Sequence, residues 1–311
     1  MGALKERLFH LSQNNQRLSS LYSAVSRIKT FVMRCLGNKA FLRIKYRSRM
    51  GKKLNLNPPV TYNEKLQWIK LYDHNPLYTQ LVDKFGVREY VRKTVGEKYL
   101  NQLYGVYDRF DDIDFSTLPD KFVMKCTHDS GNVIFCKDKS SFDIKNARKR
   151  INSSLRRNYF WDGREWPYKN VKPRIIVERF LVDESGYELK DYKFYAFNGV
   201  PAVCFVISDR GHETKCDPMD MDFKRMPFDQ GYPGSQKEWA KPKNYDEMIE
   251  VASMLSKGIP EVRVDLYNIN GQIIFGEMTF FDAGGMAPFY PEEWDKKFGD
   301  MIDLTLVESH K

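Results

Sequence analysis

The stretch Val262-Arg-Val-Asp-Leu-Tyr267, followed beyond Asn270-Gly271 by Gly276-Glu-Met-Thr279, decides how this chain is read. Apolar and charged residues alternate with a period of two, so Arg263 and Asp265 project onto one face of a strand. Asn-Gly between two such runs is a hairpin turn. The direction of Glu277 depends on that turn. A two-residue loop would pair Val264 with Glu277 and put Glu277 on the face opposite Asp265. A three-residue loop, with Gly271 left-handed, would pair Arg263 with Glu277 and set Asp265 diagonal to it. In the second case two carboxylates share one pleated face, at a cost of roughly 4 kcal/mol at ~4 Å for an effective dielectric of about 20. Arg263 offsets part of that cost. An oxygen-only set with open positions suits Mg²⁺, which takes one or two carboxylates and fills the rest of its shell with phosphate oxygens. A structural Arg–Glu cross-strand pair beside a solvated Asp is the alternative, and the residues alone leave both open.

Working outward, the same Asn-Gly signal closes a second hairpin, Tyr192 to Phe197 and Ala202 to Ser208 around Asn198-Gly199. Between the two hairpins lies a polar stretch, about residues 209–243, whose length predicts a lid or binding loop. The helix after it is signalled by an Asn244-Tyr-Asp-Glu247 capping box and the apolar face Met248, Ile249, Ala252, Met254 and Leu255. Upstream, residues 121–127 and 132–137 read as strands around His128-Asp-Ser-Gly131, with His128 taken as a solvated loop histidine. Lys125 lies mid-strand. Together with the small loop Ser130-Gly131-Asn132 it offers a point charge and backbone N–H groups to a phosphate, while a surface lysine beside a turn is the plainer reading. A basic helix over residues 142–159, capped by Ser140 or Ser141, is followed by a buried strand over 174–181 that carries Glu178.

Pro58-Pro59 and the capping box Thr61-Tyr-Asn-Glu64 open the main domain, 58–311, and a single helix is predicted over residues 76–95. Residues 1–57 form a basic helical segment with Leu8, Leu11, Leu18 and Leu21 at helical spacing. Its charge can be a solvated face packed on the body or a peripheral contact with an anionic membrane. The aromatic loop over residues 159–168, with Trp161, Trp166 and Tyr168, serves either sugar stacking or core packing. The sum is an α+β chain of antiparallel hairpins.

Composition bounds the function. With 311 residues, 42% hydrophobic, the chain builds a substantial core. No run of eighteen apolar residues or signal-peptide pattern occurs, and five cysteines without a C-x-x-C pair read as reduced thiols, so a cytoplasmic protein is expected. The net charge of +9 favours an anionic partner. Nucleic acid is not expected, because acids interleave the basic residues outside 1–57 and no stacking or helix-turn-helix signature is present.

Taken in order, several motifs resemble the ATP-grasp superfamily, in particular its TupA-like branch linked to teichuronopeptide and polysaccharide biosynthesis. They are Thr61-Tyr-Asn-Glu-Lys-Leu-Gln-Trp68, Asp83-Lys84 with Arg88-Glu-Tyr90, Phe122-Val-Met-Lys-Cys126, Val177-Glu-Arg-Phe-Leu181, Asp191-Tyr-Lys-Phe-Tyr195, Arg263-Val-Asp265 and Glu277-Met-Thr279. The resemblance implies a nucleotide held between two antiparallel sheets, the first lobe at about 121–181 and the second at about 182–311. ATP and Mg²⁺ are the implied cofactors. Lys84 and Lys125 would hold phosphates, with Lys193 as a further contact and Ser130, Gly131 and Asn132 covering them. Glu178, Phe180 and Leu181 would receive the adenine. Asp265 and Glu277 match the metal-binding acids, with Thr279 where the wider pattern has Asn, and Arg263 and Lys125 match the catalytic cations.

The implied reaction joins a carboxylate to an amine through an acyl phosphate. The carboxylate is expected on a uronic acid of a polysaccharide or its precursor, and the amine on an amino acid or other small molecule. Its rivals are a sugar kinase on the same cradle, a glycosyltransferase and a non-catalytic basic binding module. The glycosyltransferase would need an Asp-x-Asp after a strand, and Asp220-Met-Asp222 shows no strand before it in the sequence.

Overall fold

In the computed structural model, which describes residues 33–310 apart from 187, 210–212 and 236, two antiparallel sheets carry the fold. The leucine stretch before residue 33 lies outside the described residues. Strands β1 (Leu103–Tyr107), β2 (Phe122–Cys126), β3 (Val133–Cys136) and β4 (Ile175–Arg179) form the first sheet in the order β1-β4-β2-β3. Strands β5 (Asp191–Phe197), β6 (Val200–Ser208), β7 (Lys215–Met219), β9 (Val262–Ile269) and β10 (Gln272–Thr279) form the second in the order β10-β9-β5-β6-β7. A short pair, β8 (Asp229–Gln230) with β11 (Phe289–Tyr290), lies apart.

Alternation along each strand separates a core face from a polar face. In the first sheet Phe122, Met124 and Cys126 are buried, and they pack with Ala147 and Ile151 of the helix over Ile144–Leu155. Val123 and Lys125, on the other side of β2, are half-buried. In the second sheet Phe194, Val264 and Leu266 share a core with Met248, Ala252 and Leu255 of the helix over Tyr245–Ser256. Both hairpin turns are two residues long, with Asn198 and Gly199 at φ 49° and 83° and Asn270 and Gly271 at 52° and 88°. That left-handed pair is what Asn-Gly supplies at low cost.

Helix α1 (Asn38–Met50) buries Phe41, Leu42 and Tyr46 against Leu54, Leu56 and Met286. Helix α2 (Tyr62–Tyr72) begins at the expected capping box: Thr61 accepts from the Glu64 N–H at 3.4 Å, and Glu64 accepts from the Thr61 N–H at 3.2 Å. It packs on the last helix, Glu293–Met301. A Cβ on Gly299 there would lie 2.4 Å from the Val60 carbonyl, so only glycine allows the approach.

Several expectations are corrected. The predicted helix over 76–95 is two helices, α3 (Leu77–Val82) and α4 (Val87–Thr94). Asp83 breaks it by accepting from the Phe85 N–H at 3.1 Å and from Arg174 at 2.6 Å. Asp143, and not Ser140 or Ser141, caps the helix over Ile144–Leu155. Asn244 makes no side-chain cap: its carboxamide bonds to Asn268 at 2.7 Å and to the Gly271 carbonyl at 2.8 Å. The segment over 209–243 is not all loop, because β7 inside it pairs with β6 as the sheet's edge strand. That strand also ends directly before Asp220, so the Asp-x-Asp does follow a strand; Asp220 accepts from the Lys224 N–H at 2.8 Å in a local turn. His128 is buried, and its Nε2 lies 3.1 and 3.0 Å from the carbonyls of Ser154 and Arg157.

Candidate active site

The register of the last hairpin is neither of the two the sequence offered, although Glu277 does share a face with Asp265. The turn is the two-residue kind, yet the pairing shifts by one between Phe275 and Glu277, so Glu277 faces Asp265 and Thr279 faces Arg263. The extra residue is Gly276, a β-bulge. A Cβ there would lie 3.0 Å from the Asp265 carbonyl and 3.2 Å from the Tyr267 ring, which explains the glycine. On the other side of β9, Lys193 of β5 faces Asp265 and Tyr195 faces Arg263. Two polar rows therefore cross the sheet, Lys193–Asp265–Glu277 and Tyr195–Arg263–Thr279.

Charges in these rows are matched. Arg263 donates to both Asp265 oxygens at 2.7 and 2.8 Å, to Glu277 at 3.3 Å, to Thr279 at 3.1 Å, and also to Asp282. Lys193 donates to Asp265 and lies 3.5 Å from Asp191. Burial disfavours the Arg263 charge, but Asp265 and Asp282 hold its pKa well above the ordinary arginine range. Burial likewise works against ionised Glu277, but Lys84, Lys193, Arg263 and Lys125 bring its carboxyl down to about 2. Its side chain remains 43% exposed, so an anionic oxygen faces the cleft.

Across the cleft, Lys125 reaches Glu178 at 2.8 Å and Arg88 reaches the other Glu178 oxygen at 2.9 Å. Lys84 sits in the break between α3 and α4. Its N–H donates to the Thr127 carbonyl at 3.1 Å and its ammonium to the Asp129 carbonyl. Burial lowers its pKa, with Glu277 opposing and Lys125 adding to the shift. A narrow gap lies between the sheets, with Lys84, Arg88, Lys125, Glu178 and Leu181 on one side and Tyr267, Phe275 and Gly276 on the other. A wider chamber runs from Arg263, Glu277 and Thr279 out to Ser130, Tyr159 and Tyr168.

The family model described as TupA-like ATPgrasp matches residues 64–303. The chain belongs to the TupA-like ATP-grasp family. Membership makes it an ATP-grasp enzyme. Among solved structures, it is similar to D-alanine–D-alanine ligase from Bacillus anthracis complexed with ATP, at 14% identity over 82% of this chain and 72% of that one, TM-score 0.41. It is also similar to the D-cycloserine synthetase DcsG, at 17% identity over 76% and 72%, TM-score 0.40. No curated protein matches the chain.

Of the residues the sequence singled out in this ATP-grasp chain, the fold brings Lys84, Lys125, Glu178 and Leu181 to one side of the cleft and Lys193, Arg263, Asp265, Glu277 and Thr279 to the other. Phe180 packs edge-on against Phe135 at 6.1 Å. Ser130 lines the wider chamber, Gly131 turns the loop at φ 89°, and Asn132 donates to Asp129 at 3.1 Å. Asp265, Glu277 and Thr279 are oxygen donors on one strand pair, the chemistry Mg²⁺ takes, but Arg263 and Lys193 hold both Asp265 oxygens, so Glu277 is the acid that faces the cleft. No group of three His, Cys, Asp or Glu that could hold a metal is present among the described residues.

Sequence reasoning gave no role to Arg88, Glu165 or Lys70. Glu165 is 5% exposed and faces the chamber, and burial raises its pKa against the pull of Lys70 and Lys45. Gly276→Ala is expected to destabilise the protein by about 1–3 kcal/mol, because the added methyl crowds the Asp265 carbonyl and Tyr267. Denaturant midpoints of the two proteins check this, and equal midpoints would show that the bulge tolerates a side chain.

Proposed function

We propose that this chain uses ATP to join a uronic-acid carboxylate of a surface polysaccharide, or its precursor, to an amino acid or other small amine. The observation that supports this best is the pair of acidic and basic rows on the second sheet facing Lys84 and Lys125 across a narrow gap. Such a gap suits a triphosphate, since buried cations from both sides neutralise its charge without reorganising. Glu178, held by Arg88 and Lys125, would exchange its hold on Lys125 for contact with the nucleotide. Asp265, Glu277 and Thr279 would hold Mg²⁺, which supplies charge neutralisation on the phosphates when bound.

The acceptor carboxylate oxygen attacks the γ-phosphorus, the bond to the β–γ bridging oxygen breaks, and ADP leaves with that electron pair. The amine nitrogen then attacks the acyl carbon. The bond between that carbon and the oxygen bridging to phosphorus breaks, phosphate leaves with that oxygen and the electron pair, and the amine nitrogen loses a proton. Positioning and charge suffice, and no protein nucleophile is required. Tyr159 and Tyr168, edge-to-face at 4.8 Å in the wider chamber, support a sugar-sized acceptor. We assign the reaction to the cytoplasm, where ATP is made.

The test is ADP and phosphate release with ATP, Mg²⁺ and glucuronic-acid-bearing acceptors against a panel of amino acids and amines. Amine-dependent turnover with a new amide product is expected. A stable phosphoester formed without amine would replace the ligase by a kinase.

A further inference from the structure

The outer end of the wider chamber carries charge that the reaction above does not use. Lys45 and Arg49 of α1 line it, together with Arg157, which follows the helix over Ile144–Leu155. Helix α1 contains no acidic residue, so Lys45 and Arg49, one turn apart, have no counter-ion on their own element. A like-charge pair at that spacing is unfavourable by itself.

The helix cannot swing away from the wall. Phe41, Leu42 and Tyr46 anchor it in the core. Arg164, 2% exposed, donates to the carbonyls of Met33, Arg34 and Leu36 at 3.0, 3.2 and 3.3 Å and lies over the Phe41 ring at 4.6 Å. The Lys45 ammonium donates to the Asp162 carbonyl, a neutral partner. Burial lowers its pKa, Glu165 opposes that shift, and Arg49 adds to it.

The acids nearby do not cancel these cations. The Asp162 carboxylate is taken by Arg157, through Nε at 3.0 Å and through Nη2. Buried Glu165 makes no ion pair among the described residues, and Lys70 and then Lys45 act on its charge most strongly. With Asp162 held by Arg157, and Glu277 and Asp282 by Arg263, the one acid left in the chamber wall, Glu165, faces Lys70, Lys45 and Arg49, which leaves an excess of two positive charges. Arg49 is exposed and makes no hydrogen bond or ion pair among the described residues.

We propose that Lys45 and Arg49 of the N-terminal helix, with Arg157 beside them, bind a diphosphate carried by the acceptor, at the far end of the chamber from Arg263 and Glu277. This deepens the ligase reading and rests on it: the sugar would lie along Tyr159 and Tyr168, its carboxylate inward and its diphosphate outward. A diphosphate fits better than a single carboxylate, because an excess of two positive charges that includes a guanidinium fork matches bridged phosphate oxygens.

The experiment loads the full chain with a non-hydrolysable ATP analogue and Mg²⁺, to fill the nucleotide site, and titrates inorganic pyrophosphate by calorimetry. Arg49→Ala is the main variant, since an exposed, unpaired side chain can be removed without loss of folding. Lys45→Ala is the second, and Lys121→Ala, exposed directly before the inner strand β2 and absent from the chamber lining, is the control. Pyrophosphate is expected to bind the wild type and the control alike, and the Arg49 variant at least about tenfold more weakly. No binding to the loaded wild type, or equal binding to Arg49→Ala, overturns the proposal. Arg49-dependent binding of an oligogalacturonate that outcompetes pyrophosphate overturns the diphosphate in favour of a uronate chain. If the analogue itself does not bind, the ligase reading fails, and the Arg49 dependence of pyrophosphate binding to the free protein still decides this site.

Discussion

Glu277→Ala is expected to lower amine-dependent ADP release by at least about 10²–10³-fold while the protein stays folded. The fold tolerates the change because the Glu277 side chain is 43% exposed and its protein contacts are long, 3.3 Å to Arg263 and 3.2 Å to Thr279. The chemistry does not tolerate it, since Glu277 is the anion that faces the cleft among Lys84, Lys193, Arg263 and Lys125. Removing it leaves those four cations with one acid fewer. The variant should therefore bind a non-hydrolysable ATP analogue without metal at least as tightly as the wild type does, and Mg²⁺ should no longer strengthen that binding. Calorimetry with and without Mg²⁺, alongside turnover, separates the two effects. Turnover within tenfold of wild type, or an unchanged response to Mg²⁺, would remove Glu277 from the metal site.

The same residue shows how far the sequence could be read. Alternation in Val262 to Tyr267 was enough to put Arg263 and Asp265 on one face, and Asn-Gly located the turn without fixing its length. The convergence of Glu277 with Asp265 came instead from a bulge at Gly276, whose only sequence signal was an isolated glycine inside a strand pattern. Lys84 was legible as a candidate through family resemblance, but the helix break that frees it arises from Asp83 meeting Arg174, 91 positions away. Nothing local in residues 76–95 announces that contact. The stretch over 209–243 looked like a lid because its β7 strand, Lys-Cys-Asp-Pro-Met, lacks alternation and contains proline, which an edge strand tolerates. Asn244 failed as a cap for a similar reason: a tertiary partner, Asn268, claimed its carboxamide first. Glu165 had no sequence signal at all. Its role as a buried chamber wall depends on Lys70, Lys45 and Asp282 arriving from distant segments.

Asp265 belongs to the same metal-site set as Glu277, but its substitution should act mainly on stability. Its carboxylate is 2% exposed and receives Arg263 on both oxygens as well as Lys193. Asp265→Asn keeps the shape and removes the charge. Arg263 would retain Asp282 and Glu277, but Lys193 would be left with Asp191 at 3.5 Å. Breaking one partner of a buried ion pair costs about 3–5 kcal/mol, because the surviving cations stay desolvated without their counter-charge. For a chain of this size that corresponds to a fall of roughly 10 °C in thermal midpoint. The double variant Asp265→Asn with Lys193→Met should recover part of the loss, since it removes the stranded ammonium along with the acid. A single variant melting within about 2 °C of wild type would mean that Arg263 and Lys193 find other partners, and the row would then be a loose polar surface instead of a preorganised phosphate cradle.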